Sequence, residues 1–381
     1  GEDRDAVAAL TAPNPASQFN YPAYTIEATK DTTITVDWVN DLVDPATGNY
    51  RPHLLPIDRT LHWANPEGIP CDGGKVKDCR PDPLALTDPK ILQEPYTGPV
   101  PIVVHVHGAH VTPESDGYPE AWWLPDANNI PGEYSREGTL VNGYARMTNN
   151  NPGVASFEYS NDQPSTTLWY HDHTLGMTRN NVYAGPAGFW LIRDAGNEGG
   201  ETGLMSGTLP GPAPVADQDV LSLNVPGEPV RASIREIPIV IQDRSFNADG
   251  SLFYPANRAF FEGIGDGQLS GYNAKPDVGL NIATIGNVKT KKTGNRAESD
   301  IAPIWNPEAF FNVMVVNGVS WPTLEVEPDL YRFRLLNGSN SRFINIAMFV
   351  VNEDGSYGAE IPFYQIGADQ SLMPHVVKVA T

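Results

Sequence analysis

Thirty-five prolines and thirty-five glycines are spread along all 381 residues instead of being gathered in one tract. Both residues interrupt helices, so punctuation this dense leaves room for short segments and few long helices. Between the breakers, Ala23 to Ala28 and Thr32 to Val39 alternate apolar with polar residues. Val100 to His107, Thr166 to Tyr170 and Gly185 to Ile192 are short β-branched or aromatic runs. Period-two alternation and short apolar runs bounded by turn residues are strand signals, and the chain reads as all-β.

A chain of this length can hold two or three domains. The expected division is a first β domain over 1–195, closed by the apolar run to Ile192, then a breaker-rich linker over 196–232. A second β region over 233–381 opens with Ile237-Pro238-Ile239-Val240-Ile241 and continues through Phe311 to Asn317 and Leu330 to Leu336. The stretch from Pro255 to Asn306, with Lys289, Lys291 and Lys292, reads as a solvated loop. The last residues, Val376 to Thr381, still have a strand pattern. A strand that ends unpaired exposes an edge, so the second domain reads as truncated, with further polypeptide expected to cover it.

Acidic residues outnumber basic ones by 46 to 25, a formal net charge of −21. That balance argues against nucleic acid or an anionic membrane as partner. No stretch has the apolar length of a membrane-spanning helix, and the start, Gly1-Glu2-Asp3-Arg4-Asp5, reads as trimmed or processed. The two cysteines, Cys71 and Cys79, flank a turn-rich loop. A local disulfide is the favoured reading, implying an oxidising compartment, with free thiols or a soft-metal site as the alternatives.

Five of the eight histidines fall between residues 105 and 173, four of them in two His-x-His pairs: His105 with His107, and His171 with His173. Each pair ends a strand-like run. Strand side chains alternate faces, so both rings of a pair point the same way while Val106 and Asp172 point the other. Two such pairs read as halves of a metal cluster, although imidazole suits copper, zinc, iron or nickel alike. His110 completes a run that superficially matches a zinc hydrolase, but that pattern wants Asp where Ala109 stands, so His110 is read as a non-ligand. Asp172 is read as a structural hydrogen-bond group, and Met177, Trp122, Trp123, Trp169 and Trp190 as packing residues.

The flanking sequence narrows the choice. His105-Val106-His107-Gly108, Ser115-Asp116-Gly117-Tyr118-Pro119-Glu120-Ala121-Trp122, Leu168-Trp169-Tyr170-His171-Asp172-His173 and Thr178-Arg179-Asn180-Asn181-Val182-Tyr183-Ala184-Gly185 occur in that order. With Asp249-Gly250-Ser251-Leu252-Phe253-Tyr254-Pro255, Val316-Asn317-Gly318 and Phe363-Tyr364-Gln365-Ile366-Gly367, they resemble the multicopper oxidases of the bacterial spore-coat laccase, bilirubin oxidase and phenoxazinone synthase group. The resemblance implies tandem cupredoxin-like Greek-key barrels and a trinuclear copper cluster. His105 would bind the type 2 copper, and His107, His171 and His173 the type 3 pair. Asp116 resembles the family's acid near the solvent channel and would relay protons or orient a ligand, against the plainer reading of a turn-capping Asp before Gly117.

The resemblance further implies oxidation of phenols, aminophenols, pigments or metal ions, with O2 as acceptor. It places the protein in the periplasm, outside the cell or on a spore or cell surface, leaving the cytoplasm open. The chain departs from the family in one respect. Neither cysteine has a histidine neighbour, and His375 stands alone after His173, so this sequence holds no type 1 copper site. The expectation is an N-terminal two-domain portion, inactive by itself, whose C-terminal cupredoxin domain lies elsewhere. The rival readings are a zinc-dependent hydrolase, separable by its lack of visible colour, and a non-catalytic copper-binding scaffold, separable by the absence of oxygen consumption.

Overall fold

The structure, a computed structural model, describes residues 22–194 except 83–84, 89–90, 93–94, 142–145 and 148–151, then 209–211, 213, 229–254, 292–293, 296–297 and 309–379. Most of the linker expected over 196–232, and most of the loop containing Lys289 and Lys291, lies outside the described residues.

Strands β1 (Ile26–Thr29), β2 (Ile34–Val39), β3 (Val104–His107), β4 (Arg146–Met147), β5 (Val154–Tyr159), β6 (Thr166–Asp172) and β7 (Ala187–Arg193) build the N-terminal part. They form one sheet in the order β1-β7-β6-β3 and a second in the order β2-β5-β4. Helix α1 (Thr178–Ala184) connects β6 to β7, and α2 (Pro229–Ser233) leads into β8 (Glu236–Arg244). Apart from short 3-10 turns, these are the helices among the described residues, as the all-β reading expects. Beyond the two-residue strands β9 (Lys292–Thr293) and β10 (Arg296–Ala297), the chain forms β11 (Val313–Val316), β12 (Val319–Ser320) and β13 (Arg332–Asn337), which join β8 in the order β12-β11-β8-β13. Two hairpins follow: β14 (Phe349–Val351) with β15 (Tyr357–Glu360), and β16 (Phe363–Ala368) with β17 (Ser371–Val379).

The alternation read in the sequence does what a half-buried strand requires. Along β2, Ile34, Val36 and Trp38 turn toward the core while Thr35, Asp37 and Val39 face solvent. β7, apolar from Ala187 to Ile192, needs cover on both faces. One face sends Trp190 and Ile192 into the main core with Trp63, Trp122, Trp123 and Phe157. The other packs Phe189 and Leu191 against Val240 and Leu336 of the β8 sheet. Buried indoles need an acceptor: Trp122 donates to Asp78 at 2.6 Å, Trp123 to the Gly153 carbonyl at 3.1 Å and Trp190 to Asn161 at 3.2 Å. Met177 is fully buried in the same core. Cys71 and Cys79 form the local disulfide.

Two turns share one local design. In Asn247-Ala248-Asp249-Gly250-Ser251 and in Asn352-Glu353-Asp354-Gly355-Ser356, the serine amide and hydroxyl both donate to the aspartate and the asparagine amide donates to the serine hydroxyl. The glycines take φ of 85° and 81°, a left-handed backbone that glycine adopts without a steric penalty. At the C-terminal side, β17 pairs only with β16 among the described residues. Phe349, Val350, Val351, Tyr364, Val376 and Val377 are exposed along these hairpins.

Candidate metal centre

Strands β3 and β6 pair antiparallel with His105 opposite His171 and His107 opposite Trp169. Directly opposed side chains on one face of such a pair lie within reach of each other. The ring centroids of His105 stand 5.6 Å from His107, 5.5 Å from His171 and 5.1 Å from His173. His173 follows the end of β6, and its amide donates to the Val103 carbonyl at 2.8 Å, keeping the register for one more residue. All four predicted ligands therefore meet on one face. His110 does not join them: it is exposed and pairs with Asp162 at 2.8 Å.

The outer nitrogens decide which lone pairs face inward. His105 Nδ1 lies against the Asp116 carbonyl, and His171 Nδ1 is 2.7 Å from the Asp172 carbonyl. A carbonyl only accepts, so both Nδ1 atoms carry the hydrogen and each Nε2 is free to bind a metal. His107 Nδ1 lies 3.4 Å from His171 Nε2. Two nitrogens bound to one ion at about 2.0–2.1 Å with a near-tetrahedral angle stand roughly 3.3–3.4 Å apart, so this spacing fits a shared ion as well as a weak ring-to-ring hydrogen bond. His105, His107 and His171 each offer a ring nitrogen within 4.8 Å of the others. The buried Nδ1 of His173 has no hydrogen-bond partner.

Burial pushes the His171 pKa down to about 4, overcoming the opposite pull of the Asp172 carbonyl, and His105, His173 and His107 lower it further. Burial, then the neighbouring His105, lowers His107 and His173 as well. Neutral rings at pH 7 are the form that binds a metal. Behind the cluster, burial likewise lowers His53 to about 4. In the unfolded chain both rings protonate near the ordinary 6.5, so the unfolded state binds more protons as the pH falls toward 4. The metal-free protein is expected to lose stability through that window, measured as falling urea midpoints. A His53→Gln variant should show a shallower fall, and a slope equal to wild type would refute that contribution.

Asp116 follows the 3-10 turn Pro113–Ser115, and its carboxylate sits 3.4 Å from His105 Nδ1. Gly117 makes that approach possible. It has φ +78°, and a Cβ there would lie 2.1 Å from the Val104 carbonyl oxygen. Replacing Gly117 by Ala should cost more than about 1–2 kcal/mol from the left-handed backbone alone, with the clash in addition. Urea unfolding would measure the loss, and an unchanged midpoint would contradict this account of the loop.

Four neighbours of the site are not marked as such by the sequence. Trp169, whose apolar ring suggests packing, lies against the rings of His171 at 4.2 Å and His107 at 5.4 Å. Gln370, in the turn between β16 and β17, rests so close to Gly108 that a Cβ there would lie 2.6 Å from its side chain. Asn181 and His53 are bonded to the rear of the site, where Asp172 is fully engaged in hydrogen bonds. Trp169 and Asn181 lie in the runs that carry the family resemblance, whereas His53 and Gln370 carry no signal in the sequence.

No known protein-family profile matches the chain. Over 94% of its length it is 29% identical to a laccase of Bacillus subtilis, covering 46% of that protein. It is also 29% identical to a laccase of Bacillus stratosphericus, over 93% of this chain and 46% of that one. The chain is a homologue of the multicopper oxidases. A multicopper oxidase homologue of Oryza sativa subsp. japonica matches 96% of it at 27% identity. The chain spans about half the length of the curated relatives it matches. A crystal structure of a multicopper oxidase from Aquifex aeolicus aligns over 94% of this chain and 44% of that chain, at 17% identity and a TM-score of 0.45. In this multicopper oxidase homologue the donor set fits copper as it fits other imidazole-binding metals: the carbonyls on Nδ1 leave Nε2 of His105 and His171 free, His107 Nδ1 stands 3.4 Å from His171 Nε2, and the buried His173 Nδ1 has no hydrogen-bond partner.

Proposed function

We propose that this chain is the N-terminal copper-binding portion of a laccase-like oxidase. The observation that carries the reading is the convergence of four imidazoles from β3 and β6, with His107 Nδ1 and His171 Nε2 at 3.4 Å. His105 holds a type 2 copper, and His107, His171 and His173 hold part of a type 3 pair. Copper bound there would supply the stored reducing equivalents for four-electron reduction of O2 to water, drawn from phenolic, aminophenolic, pigment-type or metal-ion substrates.

The chain's own residues prepare the site. The Asp116 carbonyl holds the His105 proton on Nδ1, and its carboxylate, beside that nitrogen and open to solvent, delivers protons toward the cluster. The organisation is two cupredoxin-like units, 1–195 and 233–381, joined by 196–232. The remaining histidine ligands and the type 1 copper come from a further cupredoxin domain. The exposed Phe349, Val351, Val376 and Val377 support additional polypeptide over the C-terminal hairpins. Among the described residues no helix is long and apolar enough to cross a membrane, and the Cys71–Cys79 disulfide supports a periplasmic, secreted or surface location.

The test loads the chain with copper alone and counts bound metal. It then measures oxygen consumption with a phenolic substrate after the polypeptide carrying the type 1 site is added. Copper bound to the four histidines and oxygen uptake only in the completed enzyme are expected; no copper retained would overturn the reading. Asp116→Asn leaves the carbonyl contact intact, so copper should stay bound while turnover falls by about 100-fold, the low end for a lost proton-transfer group. Unchanged turnover would remove Asp116 from proton delivery.

A further inference from the structure

We propose that His53 and Asn181 are positioning residues of the histidine cluster, acting through Asp172 to lock both ligand-bearing strands and the His171 tautomer. The proposal rests on the reading of these histidines as copper ligands. Every donor in the chain of contacts can be assigned. The Leu55 amide donates to His53 Nδ1 at 2.9 Å, so the ring proton sits on Nε2. That Nε2 donates to Asn181 Oδ1 at 3.1 Å, which fixes the amide orientation. The Asn181 Nδ2 group then donates to Asp172 Oδ1 at 2.9 Å and to the Pro101 carbonyl at 3.1 Å.

Asp172 receives the other end. It is buried and accepts from the Val103 amide at 3.3 Å, the Thr174 amide at 3.0 Å and the Thr174 hydroxyl at 2.8 Å, besides Asn181. Those four donors use the acceptor capacity of one carboxylate. Its side chain therefore grips Val103, the residue before β3 and two before His105, and the turn after His173. Its backbone carbonyl meanwhile accepts from His171 Nδ1. Losing one donor leaves a buried acceptor unsatisfied, which frees the carboxylate to move and with it the carbonyl that orients His171. The half-buried His53 lies outside the ligand set, so it can be altered without touching a ligand.

The test uses the full chain with 15N-labelled histidine, metal-free, read by long-range proton–nitrogen NMR. Wild type should show His171 as a single Nδ1–H tautomer and His53 as Nε2–H. Asn181→Leu should give His171 a mixture of tautomers, and Cu(II) affinity, titrated with copper alone against a chelator, should fall about 10- to 100-fold. His53→Leu should act in the same direction. His53→Gln should restore both readouts, since its amide can accept from Leu55 and donate to Asn181. Loss of packing alone would not make a tautomer change follow the hydrogen-bonding capacity at position 53.

A folded Asn181→Leu or His53→Leu variant that keeps the wild-type tautomer and affinity would overturn the proposal. If Asn181→Leu does not fold, the two His53 variants decide. Absence of copper binding in wild type would end the oxidase reading, while the metal-free tautomer comparison would still judge the positioning role.

Discussion

Replacing His171 by alanine should remove metal binding at the shared-ion position outright. His171 is the buried centre of the cluster, with ring centroids 5.5 Å from His105, 5.6 Å from His107 and 5.7 Å from His173. It also supplies one of the two nitrogens that stand 3.4 Å apart. Removing an outer-shell partner weakens a metal site about 10- to 100-fold, so deleting an inner ligand should exceed about 100-fold. Copper counted by elemental analysis after dialysis against a chelator should drop below wild type, with the remaining copper held near His105. Retention of the full complement at unchanged affinity would show that the metal sits elsewhere.

The second large effect lies at Glu236, far from the histidines. Its carboxylate is 1% exposed and accepts from Arg193 at 3.0 Å on the β7 side and from Arg334 at 2.5 Å on the β13 side, with Arg332 at 3.8 Å. Arg334 also reaches the Thr167 hydroxyl of β6, so this acid ties the β8 sheet to the sheet bearing the histidines. Removing one partner of a buried ion pair leaves uncompensated charge and costs about 3–5 kcal/mol. Arg193 keeps its second partner, Glu27, at 2.8 Å.

Glu236→Ala should therefore lower the unfolding free energy by an amount in that range, and Glu236→Gln by less, both read from urea transitions. Burial raises the Glu236 pKa, but Arg334 and Arg193 outweigh it and hold the group below its usual 4.5. Its contribution is thus fully present above pH 4.5 and is lost as the pH falls through the lower folded value. Glu236→Ala should remove that part of the acid sensitivity. An alanine variant as stable as wild type would mean that the arginines find other partners.

Local features were legible where the local rule was enough. The period of β2 and the apolar run of β7 from Ala187 to Ile192 follow from residue type and spacing. The spacing of each His-x-His pair places two rings on one face, and that face is where the rings are found. Trp169 was harder to read: its apolar ring suggested packing, while its register opposite His107 put it on the histidines. His53 gave no local sign, because its significance lies in a hydrogen bond to Asn181, 128 residues away.

The sequence alone determined strands, turns and the pairing of imidazoles within each motif, because these depend on the alternation of a single backbone. Only the tertiary structure decided that His105 faces His171, that Gly117 brings Asp116 onto His105, and that His53 stands behind the cluster. Those contacts join residues remote in the chain, and they are set by strand pairing, close backbone approach and the need of buried polar groups for partners.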